Sequence, residues 1–168
     1  MRNKLVLASD DVQKIVAACK QKVAQCQCAA TIAVVDEAGN LLYLERMDGP
    51  GPMSVEVATG KARTAALPRQ PTKLAEDRLK NRMGFLAVEG FVPLQGGVPV
   101  LVQGQCVGGI GISGGPTPEI DEQIAESKEH AARFAQTLEK AARRFAALAN
   151  VEERHANHYR QQLASISK

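Results

Sequence analysis

The residues of this chain best suited to chemistry gather in its middle third. Leu44-Glu45-Arg46-Met47-Asp48-Gly49 places two acids and a guanidinium where a strand-like run gives way to a loop. Lys61-Ala62-Arg63-Thr64-Ala65 follows in a stretch of small residues, and a spacing of three puts Lys61 and Thr64 on one helix face. Arg46 and Lys61 are the cations that would hold a carboxylate or propionate, and Asp48 or Glu45 is the group that would move a proton. Two glycine-dense stretches accompany them, Pro93-Leu94-Gln95-Gly96-Gly97-Val98-Pro99 and Gly108-Gly109-Ile110-Gly111-Ile112-Ser113-Gly114-Gly115. Ionic side chains beside so much bare backbone suggest a shallow site, with Gly96 and Gly97 among its candidate ligand contacts. A plainer reading of the same residues is an Arg46–Asp48 or Glu45–Lys61 surface pair of little energetic weight.

Other motifs narrow the chemistry. Gly109 to Gly114 spells G-x-G-x-x-G after a strand. A dinucleotide site also needs a helix opening inside the motif and a further strand with an acid at its end. Here Pro116 and Pro118 intervene before the helix is under way and no strand follows, so a tight strand exit is expected instead. The three histidines, His130, His155 and His158, lie far from the glycine turns, which argues against a Ser-His-Asp arrangement. His155 and His158 are expected on a solvated tail, with no metal site. Cys19, Cys26, Cys28 and Cys106 include one C-x-C and no answering pair, so they read as reduced, mostly structural thiols.

These residues need a scaffold. Ser9-Asp10-Asp11 starts a helix over about 9–25, with Val12, Ile15, Val16, Cys19 and Val23 on its apolar face. Residues 29–35 form a buried strand, Asp36 to Asn40 a turn, and Leu41 to Arg46 the returning strand. Ser54 is expected to cap a helix over about 54–67, whose Ala58, Ala62, Ala65 and Ala66 let another backbone come close; Gly60 marks close packing or ligand approach. A shorter helix runs from Pro71-Thr72 to about Asn81, and a short strand is expected near Phe91-Val92-Pro93. Val98 to Val102 and Cys106 to Ile112 make a second hairpin across Gln103-Gly104-Gln105. Thr117 then caps a helix, with Pro118 in its first turn, that the pattern carries to about residue 148. Its N-terminus suits an anionic group.

Composition bounds the rest. At 168 residues this is one domain, 1–148, with a polar helical tail over 149–168 suited to assembly. Aromatics are only 4% and tryptophan is absent, so small aliphatics must build the core. Two hairpins separated by helices predict an α/β (α+β) fold, an antiparallel sheet covered by helices with a long C-terminal helix. A net charge of +3 with interspersed signs gives no nucleic-acid footprint. No apolar run reaches membrane-spanning length and no secretory pattern is visible, so a cytoplasmic protein with no membrane partner is expected.

The quoted motifs, together with Ala33-Val34-Val35-Asp36-Glu37-Ala38-Gly39, closely resemble the heme-degrading domain family, which includes GlcG-like proteins and the C-terminal domain of some corrinoid adenosyltransferases. The likeness runs from about Leu5 to Ala142. It implies a profilin-like domain that assembles as a homo-oligomer, from dimer to octamer, with heme or another tetrapyrrole as ligand and no other cofactor. Thr64 takes the role of a heme contact by resemblance, with Lys61, Gly96 and Gly97 nearby. Members found in catabolic operons imply a small organic acid as ligand instead, and the ionic cluster beside glycine-rich backbone suggests the alternative of a cofactor-independent isomerase, tautomerase or hydrolytic deaminase acting on a small unsaturated carboxylic acid. Catalysis is therefore left open at this point, with Arg46, Asp48, Lys61 and Glu45 as its candidates.

Overall fold

The computed structural model describes residues 4–127. The expected helix beyond Ser127, the 149–168 tail and all three histidines lie outside the described residues.

Four strands form one antiparallel sheet in the order β2-β1-β4-β3. They are β1 (Thr31–Asp36), β2 (Leu41–Arg46), β3 (Gly97–Val102) and β4 (Gln105–Ser113). Each hairpin fixes its own register. At the first, the Asp36 carboxylate accepts from Ala38 N–H and Asn40 N–H at 2.9 and 2.8 Å, and Gly39 supplies the positive φ. At the second, Gln103 and Gly104 both take positive φ, the signature of a two-residue hairpin loop. β1 joins the hairpins by pairing with β4, Thr31 opposite Ser113 and Val35 opposite Gly109. This is the expected α+β architecture.

The helices are α1 (Ser9–Gln25), α2 (Ser54–Ala66), α3 (Thr72–Leu79) and α4 (Pro118–Ala125). Thr117 caps α4 as expected, its hydroxyl accepting from Ile120 N–H. Two local expectations are corrected. Ser54 does not cap α2: its hydroxyl hydrogen-bonds the Gly51 carbonyl and the Thr31 hydroxyl, both at 2.6 Å, tying the helix to β1. Residues 91–93 form no strand, because Val92 N–H donates to the Thr64 hydroxyl instead of to a ladder. Ahead of them a 3₁₀ turn, Met83–Ala87, which the sequence pattern did not suggest, carries Phe85.

The core forms where α2 lies on the sheet. Ala58, Ala62 and Ala66 pack with Ala33 and Val35, all essentially without solvent exposure. Glycines opposite them set the distance. A Cβ on Gly111 or Gly109 would run into the Ala58 or Ala62 carbonyl, and one on Gly97 would come within 2.6 Å of the Lys61 carbonyl. Helix and sheet therefore meet backbone to backbone, closer than side chains allow. Gly60, on another side of α2, leaves room for Val92. A Gly111→Ala variant must push α2 away from β4. The midpoint of urea unfolding should fall by the equivalent of about 1–3 kcal/mol or more, the range for overpacked cores; an unchanged midpoint would show that the close approach carries no constraint.

Candidate functional site

Lys61 lies on the sheet-facing side of α2 and is only 4% exposed. A buried ammonium needs anionic company, or burial drives off its proton. Its Nζ donates to the Ile112 carbonyl at 2.8 Å and to Asp121 Oδ2 at 3.0 Å. Asp121, in the first turn of α4, accepts from Gly115 N–H on its other oxygen at 2.9 Å. Gly96 completes the enclosure. Its φ of +118° and missing Cβ leave room for both ionic side chains, since a Cβ there would lie 2.8 Å from Lys61 Nζ and 2.8 Å from Asp121 Cβ. Burial pushes the Asp121 carboxyl above its ordinary range, while the Lys61 charge and the two hydrogen bonds pull it back down. Among the described residues, no buried side-chain nitrogen or oxygen lacks a partner.

The geometry separates the residues singled out in the sequence. Lys61 and Gly96 belong to this buried ionic cluster, while Gly97 lies against the Lys61 backbone carbonyl and exchanges hydrogen bonds with the Thr72 hydroxyl. The glycine-dense strands receive α2 and its lysine where an open hollow was expected. Arg46 and Asp48 are exposed at and just beyond the end of β2. Glu45 pairs with Lys20 of α1 at 2.7 Å and accepts from the Tyr43 hydroxyl, and these two partners lower its pKa. The plainer reading of a Glu45–Lys61 surface pair is thus corrected: each has a different partner. Among the described residues, Lys61 forms its ion pair with Asp121 and Glu45 forms its own with Lys20.

Thr64, one turn beyond Lys61, belongs to a second site. It is 2% exposed, and its hydroxyl accepts from Val92 N–H at 2.7 Å. It forms the floor of a slot with a void of about 50 Å³, walled by Pro68, Pro71, Ala75, Phe85 and Phe91 and edged by Arg78. The two phenyl rings stand 5.8 Å apart, and Arg82 lies over Phe85 at 5.1 Å. The segment bearing these rings also exposes Met83, Leu86 and Val88. Sequence reasoning missed Asp121, Phe85, Phe91 and Arg78. A buried lysine on an alanine face demands an acid, and half of the chain's four phenylalanines fall within seven residues; those were the available signals.

A profilin-like α+β sheet with a buried lysine–aspartate pair and an aromatic slot behind the same helix defines the class of domain. The chain belongs to the family described as haem degrading protein HbpS-like, whose model matches residues 7–130. It is 39% identical over 114 residues to Protein GlcG of Escherichia coli strain K12, covering 67% of this chain and 85% of that protein. Two crystal structures resemble it closely. One is HbpS, at 34% identity and a TM-score of 0.72, covering 79% of this chain and 92% of the other. The second is a PduOC:heme complex, at 27% identity and a TM-score of 0.69, covering 76% of this chain and 95% of the other. Among the described residues no helix is long and apolar enough to cross a membrane. No group of three metal-capable side chains occurs among them either.

Replacing one partner of the buried pair leaves the other charged and alone. Lys61→Met or Asp121→Leu should each cost about 3–5 kcal/mol in denaturant unfolding, and the double replacement should recover most of that loss. Equal, additive losses would contradict the pairing. The sign of the pH response follows from Asp121. Because the folded carboxyl binds its proton more tightly than the unfolded one, its contribution to stability falls as pH rises from about 3.8 through the raised folded value. The stability difference between Asp121→Asn and the parent, followed across that window, should therefore move in the variant's favour as pH increases.

Proposed function

We propose that this protein binds heme or a related tetrapyrrole through the slot at Thr64. The observation that carries the reading is the pairing of Phe85 and Phe91 over a buried floor, with a cationic Arg78 at the edge. A flat macrocycle with carboxylate arms wants apolar walls for its ring and a guanidinium for a propionate. The PduOC:heme complex among the structural relatives supports the same ligand class.

The fit is one of walls and charge. A void of about 50 Å³ accepts an edge of the ring, and the exposed Met83, Leu86 and Val88 of the same segment offer apolar surface for the remainder. Thr64 acts from behind. With its hydroxyl engaged by Val92 N–H, it holds the 91–94 segment in place and reaches a ligand only if that hydrogen bond opens. Heme, when bound, would supply the redox and oxygen chemistry of its iron. This chain's residues bind and orient it and exclude water from one edge. An assembly of several copies, as expected from the resemblance, would cover more of the ligand than one chain can.

The catabolic-enzyme alternative rests on the exposed Arg46 and Asp48 alone, since Lys61 is held by Asp121 and Glu45 by Lys20.

Titrating the reduced protein with hemin tests the reading. A saturable Soret shift is expected, with Phe91→Ala and Arg78→Ala each weakening binding by roughly tenfold, about 1.4 kcal/mol. Thr64→Val should disturb the 91–94 segment and weaken binding indirectly. No saturable shift, or one that these variants leave unchanged, would contradict the proposed slot.

A further inference from the structure

The C-terminus of α1 carries a feature that neither the ion pair nor the slot uses. Cys26 is its C-cap, with φ −79° and ψ −4°, and Gln27 follows with a left-handed φ of +50°. Gln27 N–H donates to Ala24 O at 3.1 Å and Cys28 N–H to Val23 O at 3.3 Å. This is the two-bond Schellman closure, in which the backbone doubles back over the last turn. Cys28 Sγ also points back to Val23 O, at 3.7 Å. The two thiols flank Gln27 in half-buried positions, and burial first, then the neighbouring Cys26 thiol, raises the Cys28 pKa.

The turn's shape matters for covalent chemistry. A middle residue in a helical region, of either hand, brings the flanking Cα atoms to about 5.5 Å, whereas an extended one separates them by about 7 Å. Only the shorter spacing falls within the range that disulfides span. We propose that Cys26 and Cys28 form a reversible dithiol–disulfide site that exchanges with small-molecule disulfides. One cysteine, as thiolate, attacks a sulfur of the oxidant, forming a mixed disulfide and releasing one thiolate. The neighbouring cysteine then attacks the protein-side sulfur, the Cys26–Cys28 bond closes, and the second thiolate leaves. The protein loses two protons and two electrons, and the oxidant's S–S bond is reduced to two thiols. Closing the ring requires Cys28 to release Val23 O.

The other two thiols are engaged elsewhere. Cys19 is buried in the core, where desolvation pushes its pKa up to about 12. Cys106 Sγ donates toward Ala66 O and Gly108 O at 3.5 and 3.3 Å.

The test equilibrates the full reduced chain with mixtures of reduced and oxidised glutathione, followed by acid quench, intact mass and peptide mapping. The expected result is loss of two hydrogens per chain, mapped to a Cys26–Cys28 link and reversed by dithiothreitol, with Cys19 remaining a free thiol. Cys26→Ser and Cys28→Ser should instead each accumulate a glutathione adduct on the surviving cysteine. No loss of hydrogens in the most oxidising mixture would overturn the proposal, as would a link mapped to Cys106 or to a second chain.

Discussion

A single ammonium–carboxylate contact, Lys61 to Asp121, is the constraint around which this domain is arranged. It ties α2 to two consecutive elements some fifty to sixty residues further along the chain. The lysine comes from α2, the aspartate from the start of α4, and the Ile112 carbonyl that shares the ammonium from the end of β4. Burying two charges is costly, and the raised pKa of Asp121 records that cost. What the pair provides is position: few other arrangements of these elements satisfy an ammonium, a carboxylate and a free carbonyl together. The alanines of α2 and the glycines of β3 and β4 let the helix backbone lie directly on the sheet beside this pair.

Much of this scaffold was legible in the residues themselves. Both hairpins announced their turns, Asp36 to Asn40 and Gln103-Gly104, because positive φ is so restrictive a demand. The alanine face of α2 correctly implied a close backbone neighbour. Its partner was harder to see, since the glycines that admit the helix look in sequence like a ligand cradle. Lys61 was read as facing outward to a ligand for the same reason. Asp121 lies in the first turn of α4, where an acid is ordinary, and only the fold brings it 60 positions back to Lys61. The aromatic slot was hidden because the residues between Asn81 and Pro93 carry no periodicity, and a 3₁₀ turn leaves almost none to find.

The arrangement divides α2 into two kinds of surface. Lys61 looks into the sheet and fixes the helix, while Gly60 and Thr64 meet the segment that brings Val92 and Phe91 against it. A ligand edge entering beside Phe91 would press on a wall whose position is already set by the Thr64–Val92 hydrogen bond. The family relationship and the aromatic wall are the two separate supports of the proposed tetrapyrrole site, one from relatives and one from chemistry. The exposed Arg46 and Asp48 take no part in either surface.

The most direct test of the buried pair is nitrogen-15 NMR of the lysine side chains near neutral pH. A sequestered, hydrogen-bonded Lys61 should give a distinct ammonium signal whose protons exchange slowly with water, and that signal should vanish in Asp121→Asn while the surface lysines stay unchanged. If Lys61 exchanges as fast as the exposed lysines, or its signal ignores the loss of the Asp121 charge, the pair does not organise this fold.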